Sequence, residues 1–468
     1  MISDTGTVPH HPRIQYNRLG TGSTMNAASN ATAAREGIPP LAPAAKRGSA
    51  RSRPFAFWLL MTFFVLEYMR PEPFVQLKLQ MASLVLFPVM WLAASRRPWS
   101  RNLTIEALFV VVCALTVPFA VNNYSAYMVT RAMYGHAVIA LAITWFLANR
   151  RDFSFAIWFW VVVMAYQAIY GMTHGGHGSG GSLGDENDLA LGLNTALPFA
   201  FVGLQQFTGR KRWACAGLLV LFLAGIVASI SRGGFVGMVA VVGYCVMMGR
   251  NRLRNIAIAV VGAVLFVLAI PESYKGEIAS IKDTQSGTAE ERRFFWEAAR
   301  NMWRAHPILG VGAGNSPWNM GRYQPREAGQ GAGLFSGAEY AERDYSSTQV
   351  HSVFFQTLAE LGTAGIVLFF AMVIEHYRTL FALRRRLRRP GVPPALRRDA
   401  DIYIVALGAG MTGYLAAGAF LSVAYYPYPW YFGAFSVALA RAVAQHLSQV
   451  PEPVPGPRTV APQGRGGA

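Results

Sequence analysis

Charge is what this sequence has least of. Only 14% of its 468 residues are charged and 53% are hydrophobic, whereas soluble chains carry about a quarter charged residues. That imbalance excludes an ordinary water-soluble globule. Cysteine is nearly absent: Cys113, Cys215 and Cys245 each fall inside an apolar run, without paired spacing. A disulfide framework and a thiolate metal site are therefore excluded, and the three read as small apolar residues. Strict alternation of apolar and polar residues is missing, which argues against a membrane β-barrel. No solenoid-type period or inverted repeat of the kind found in many transporters is visible. The first 50 residues lack the short apolar core and cleavage site of a signal peptide, and are instead rich in Ala, Gly, Ser, Thr and Pro.

What is present is a series of apolar runs. Twelve are legible, over about 55–69, 77–94, 104–121, 133–148, 154–172, 189–207, 213–230, 234–249, 256–270, 352–376, 402–420 and 430–447. About 20 apolar residues cross a bilayer as a helix, and lipid leaves the backbone no partner but itself. The expected fold is an all-α integral membrane protein of about twelve transmembrane helices. One large loop is expected between spans nine and ten.

The net charge of +18 invites a nucleic-acid reading, but the positions of the charges oppose it. Arg96, Arg97 and Arg101, then Arg150 and Arg151, Arg210 to Arg212, Arg250 to Arg254 and the dense run from Arg378 to Arg398 alternate with connections almost free of charge. By the positive-inside rule this asymmetry sets orientation. It places both termini in the cytoplasm and the long loop outside, with no nucleic-acid partner. The expected organisation is a disordered tail over 1–54, helices over 55–270, a periplasmic loop over 271–351, helices over 352–447 and a second tail over 448–468. Within the loop, Phe295, Ala299, Met302 and Trp303 recur at helical steps, and Glu290 and Glu291 suit a helix start. Pro307 then stops that helix.

Four places hold residues able to do chemistry. The first is "SISRGG", where Arg232 stands between two apolar runs against the charge bias of its side. An interfacial arginine reaching for lipid head groups is one reading. An anion ligand is the other: the guanidinium suits phosphate, Ser231 adds a donor, and Gly233 permits close approach. The second is His351, at the mouth of the tenth run, either an interfacial histidine or a general base. Glu360 lies further into that run, as support for the helix or as partner to a buried arginine. The third is a helical set of Arg292, Arg293, Arg300 and Arg304, which also reads as a solvated face balanced by Glu290, Glu291 and Glu297. The fourth is "GDENDLA", where Asp185 and Asn187 lead into a helix.

In order, "GDENDLALGLNTALPF", "SRGG", "RRFFWEAARNMWRAHPILGVGAGN" and "VHSVFFQTLAELGTAGIVLFF" resemble the O-antigen ligase and polymerase superfamily. The likeness is greatest to its exosortase-A-associated O-glycosylation ligase branch. It covers roughly 55–445 and is strongest over 183–370. The resemblance implies a metal-independent glycosyltransferase of the bacterial inner membrane. Such an enzyme moves a glycan from undecaprenyl diphosphate to a hydroxyl on a glycan, lipid or protein acceptor at the periplasmic face. By motif match, Arg232 corresponds to the arginine that binds the donor diphosphate. Arg292, four residues before Trp296, corresponds to the loop arginine, with Arg293 as the alternative. His351 corresponds to the histidine that activates the acceptor. Ser231, Gly233, Arg300, Asp185, Asn187 and Glu360 complete the expected substrate-binding set, and no cofactor is implied. The family often has His-Asn where this chain has His351-Ser352. A polymerase joining lipid-linked repeat units shares these motifs. A transporter of the same lipids is the reading from another class, and would instead spread polar residues through mid-membrane.

Overall fold

The computed structural model describes residues 53–71, 79–94, 99–249, 251–269, 275–276, 288–325, 345 and 347–448. The two expected tails lie almost wholly outside these residues, as do the ends of the expected loop at 271–287 and 326–344, apart from a few positions. Among the described residues the chain is helical, without a strand. Its helices are α1 (Phe55–Tyr68), α2 (Leu79–Ala93), α3 (Arg101–Thr116), α4 (Asn123–Phe146), α5 (Arg150–Thr173), α6 (Glu186–Gln206) and α7 (Gly209–Ala228). They continue with α8 (Arg232–Met248), α9 (Arg252–Ala269), α10 (Thr288–Ala305), α11 (Ser316–Tyr323), α12 (Val353–Leu387), α13 (Pro394–Gly418) and α14 (Tyr428–Leu447).

Each expected apolar run coincides with a helix, but length and composition separate them. Six are long and apolar enough to cross a membrane: α3 with its 3₁₀ extension, α4, α5, α7, α12 and α13. Others are short (α1, α2 and α8), or carry acids or arginines, as do α6, α9 and α14. Apolar side chains on the outer faces, such as Val111, Val162, Val220, Val239, Val261 and Val367, are exposed. A soluble protein does not leave such a belt bare, and a bilayer covers it. The chain is a multi-pass helical membrane protein.

Helix starts follow from the sequence. Ser100, Asn122, Asn149, Asp185 and Ser231 are N-caps whose side chains accept a backbone N–H from the first turn. The centre of the bundle is α6, buried continuously from Leu189 to Gly203, with α13 and α14 beside it. Close crossing there requires small residues. A Cβ on Gly237 of α8 would lie 2.7 Å from Asn194 Nδ2 and 3.0 Å from Ala417 Cβ, the small-residue contact by which membrane helices approach.

The segment after α9 docks on a break in α12. Gly362 has φ +62°, outside helical geometry. The break frees backbone groups, and the turn after α10 takes them up: Val311 and Gly312 donate to the Ala359 and Glu360 carbonyls at 2.9 and 3.0 Å. In return Thr363 and Ala364 donate to the Pro307 and Ile308 carbonyls at 2.8 and 3.1 Å. Only glycine fits at the contact, since a Cβ on Gly362 would sit 2.4 Å from the Ile308 oxygen. Phe294, Phe295, Ala298, Ala299 and Met302 form a small core of their own with Val311, Met320, Val350 and Ala359. The helix expected in the first half of the loop is thus present as α10, seated by its apolar face.

Candidate functional site

The turns and basic clusters sort to opposite ends of the bundle. One end collects Arg150, Arg151, Arg210 to Arg212 and the arginines near the end of α12. At the other end α6, α8, α12 and α14 all begin. Helix N-termini present unpaired N–H groups and a partial positive charge, which suits an anion, while the start of α6 carries Asp185, Glu186 and Asp188.

Arg232 is the first residue of α8. Its N-cap, Ser231, accepts from Gly234 N at 3.0 Å and donates to Asn187 Oδ1 at 2.7 Å. Asn194 Nδ2 donates to the Gly234 carbonyl at 2.8 Å. These bonds tie the mouths of α6 and α8 together and fix the direction in which Arg232 leaves its helix. Gly234, not Gly233, is the glycine that close packing demands here: a Cβ on it would lie 2.5 Å from Ala190 Cβ, whereas Gly233 has ordinary room. Asp185 caps α6, accepting from Asp188 N at 2.9 Å, and Tyr426 Oη donates to Asp188 Oδ2 at 2.6 Å.

α10 brings Arg292 to the same place. Its guanidinium lies 5.9 Å from the centre of the Phe420 ring. One turn on, Trp296 stacks on Phe355 with ring centres 5.2 Å apart and donates to the His351 carbonyl at 3.4 Å. Burial lowers the pKa of Arg292, the neighbouring charge of Arg232 lowers it further, and Glu291 partly opposes both. Two guanidinium groups are therefore held within repelling distance of each other.

His351 sits just before α12 in a left-handed backbone conformation, φ +55°, one that non-glycine residues seldom adopt. Its N–H donates to Ser422 Oγ at 2.8 Å. With the Trp296 bond to its carbonyl, this clamps the backbone from two sides. Burial is the main cause that lowers the pKa of the imidazole, and Arg292 adds to it, while Asp185 acts in the opposite direction. A lowered pKa keeps the ring neutral, and so able to accept a proton, further into the acid range.

Arg232, Arg292, His351, Asp185, Asn187 and Ser231 thus come together. Arg293 points off a different face of α10, the one shared with Glu297, Arg300 and Arg304. There Arg300 and Arg304 meet the buried Glu297 carboxylate at 3.0 and 3.3 Å. Glu360 lies deeper and meets no arginine among the described contacts. It accepts from Gly314 N at 2.8 Å, Ser316 N at 3.2 Å, Ser316 Oγ at 2.5 Å and Tyr425 Oη at 2.5 Å. Of its two expected readings, support is the one the contacts match. The stretch 419–427, which supplies Phe420, Ser422, Tyr425 and Tyr426, was not among the expected site segments. Its signal was present in "AFLSVAYYPYPW", a polar and tyrosine-rich break in an apolar run.

Comparison with known families decides the class. Residues 217–370 match the family model described as O-antigen ligase. Over this segment the chain is similar to the O-antigen ligase superfamily. The matched third of the chain contains Arg232, Arg292, His351 and Glu360, and ends before the 419–427 stretch. No curated protein matches the chain. The match, on a multi-pass helical chain, supports a membrane enzyme of the ligase and polymerase type, glycosyltransferase-like, and the matched family implies a lipid-linked glycan and an acceptor as substrates.

Proposed function

We propose that the enzyme transfers a glycan from undecaprenyl diphosphate to an acceptor hydroxyl at the periplasmic face of the bacterial inner membrane, as an O-glycosylation ligase. The observation that carries this reading is the meeting of two arginines, Arg232 and Arg292, with a neutral-leaning histidine, His351, where four helices begin. In this reading the diphosphate lies between the guanidinium groups, which repel each other without it. His351 takes the proton of the acceptor hydroxyl as its oxygen attacks the anomeric carbon. The bond from that carbon to the diphosphate oxygen breaks, and the diphosphate leaves with the electron pair. Both arginines act where negative charge develops, in a half-buried place where electrostatic interactions are strong. The positive charge needed is supplied by these side chains, without a metal. A single displacement of this kind inverts the anomeric centre.

Product analysis in a strain lacking the gene, complemented with variants, tests the reading. A ligase leaves finished lipid-linked chains unattached when it is lost; a polymerase leaves single repeat units unextended. His351→Ala is expected to lower transfer by about a hundred- to ten-thousand-fold while donor binding persists. Full transfer by that variant, or a trapped glycosyl-enzyme, would overturn the mechanism.

A further inference from the structure

At the end of the bundle opposite the site, a cavity of about 590 Å³ opens between α5, α7, α13 and α14. Its mouth is charged: Arg150, Arg151 and Lys211 stand there against the single acid Asp399, which Arg150 engages at 2.6 Å. Its body is apolar, walled by Trp158, Val162, Leu218 and Val443. From Arg151 to Val162 the cavity follows α5 for eleven residues, about 16 Å of helix. Two hydroxyls inside, Ser154 and Tyr403, satisfy each other at 2.6 Å, so the interior offers an incoming group little beyond apolar contact. The outer rim at Val162 belongs to the exposed apolar belt, so the slot opens sideways toward lipid.

We propose that this slot is a binding site for an anionic membrane phospholipid, with its phosphate at Arg151 and Lys211 and one acyl chain between Trp158 and Leu218. Charge complementarity selects the occupant. Three basic groups against one acid favour an anionic head, and a slot that deep and apolar requires a chain behind it. A free phosphate would leave the body unfilled, and a neutral lipid would leave the mouth unmatched. The volume falls in the range of small-molecule sites, about 300–1,000 Å³. The site is separate from the proposed transfer centre, and the proposal stands whatever that centre does.

Full-length protein in detergent, examined by native mass spectrometry with phosphatidylglycerol or phosphatidylcholine of identical acyl chains, provides the test. The expected result is one retained phosphatidylglycerol in preference to phosphatidylcholine. Arg151→Ala with Lys211→Ala should weaken retention by about 25-fold, at about fivefold for each basic side chain near an anionic head group. Ala214→Trp, which fills the slot from its exposed side, should abolish retention without changing charge. Arg210→Ala with Arg212→Ala removes the same charge outside the slot and should leave retention intact. Equal retention of the two lipids would overturn the proposal, as would an equal loss in the Arg210 and Arg212 control, which would mean diffuse attraction to a basic face. Unchanged retention in Ala214→Trp would overturn it independently of any effect on folding.

Discussion

Removing the Glu360 carboxylate should loosen the enzyme before it touches the chemistry. The group accepts two backbone amides, Gly314 and Ser316, and two hydroxyls, Ser316 and Tyr425. Glu360 itself is fully buried. The hydroxyls can turn to other acceptors, but the amides are fixed by the turn that carries them. Glu360→Ala orphans Ser316 N and leaves Gly314 N only its longer 3.4 Å bond to Tyr425 Oη; a buried donor left without an acceptor costs about 1–3 kcal/mol, so the loss should be at least about 1–3 kcal/mol. In Glu360→Gln the amide oxygen still serves one pair of donors, while its NH₂ faces the other. About half the loss is expected there. The four backbone bonds across the α12 break do not involve the side chain, so the damage should stay local to 312–316. Thermal unfolding in detergent should show a lower midpoint in the order wild type, Gln, Ala. Hydrogen exchange should rise at the 312–316 amides more than in α6 or α13. An unchanged midpoint and unchanged exchange in Glu360→Ala would refute the idea that this carboxylate holds the loop.

Asp185→Asn keeps the helix cap, since Asn caps as well as Asp, but removes the charge that favours protonated His351. The imidazole pKa should fall, so the acid limb of the transfer–pH profile should move to lower pH; a shift upward would contradict the assigned role. Arg232→Lys keeps the charge but loses the planar pair of donors, and should lower transfer at least about a hundredfold with little change in melting temperature. Wild-type activity in that variant would return Arg232 to an interfacial role. Gly362→Ala forces a Cβ to 2.4 Å from the Ile308 oxygen at φ +62° and should cost at least about 2 kcal/mol. Gly217→Ala on the open face of α7 should be neutral or slightly stabilising by the same melting assay.

The membrane class, the places of the helices and the polar residues that meet at one end were legible because each leaves a local mark. Apolar runs reveal bilayer helices, and an arginine such as Arg232 is conspicuous where charge is otherwise avoided. The choice between Arg292 and Arg293 was not legible, because neighbours on a helix differ by about 100° and only packing tells which faces inward. The contacts of Trp296 with Phe355 and the His351 carbonyl place the Arg292 face of the helix beside His351, which favours Arg292 in the proposed role. Arg300 shares the face of Arg293 by its seven-residue step, and there Glu297 engages it. The role of Glu360 was hidden because its partners, the amides of Gly314 and Ser316 and the hydroxyls of Ser316 and Tyr425, lie some 45 to 65 residues away in sequence. Ser422 escaped notice for a similar reason, since a lone serine in an apolar stretch becomes meaningful only when an unusual backbone such as that of His351 needs an acceptor.

The broken helix explains how a charged site can exist at this end at all. Arg232 and Arg292 oppose each other, and within the centre the Ser231–Asn187, Trp296–His351 and His351–Ser422 bonds hold its parts in place. Further cohesion comes from beyond it. α10 is held to α12 by four backbone bonds at the Gly362 break, by Trp303 Nε1 donating to Thr363 Oγ1 at 3.1 Å, and by its own buried core. The Glu360 cluster adds the turn at 312–316, which also reaches α3 and α4 through Thr116 and Ser125. Those attachments surround the base of α10 while Arg292 stands near its start. The guanidinium is thereby carried toward Arg232 on a helix packed along its length, from Phe294, Phe295 and Trp296 beside it to the turn beyond Ala305. A continuous α12 would satisfy its own backbone and offer the turn at 307–312 nothing to pair with. The break at Gly362 is therefore the structural condition for bringing Arg292 and His351 together, although it lies outside the chemistry.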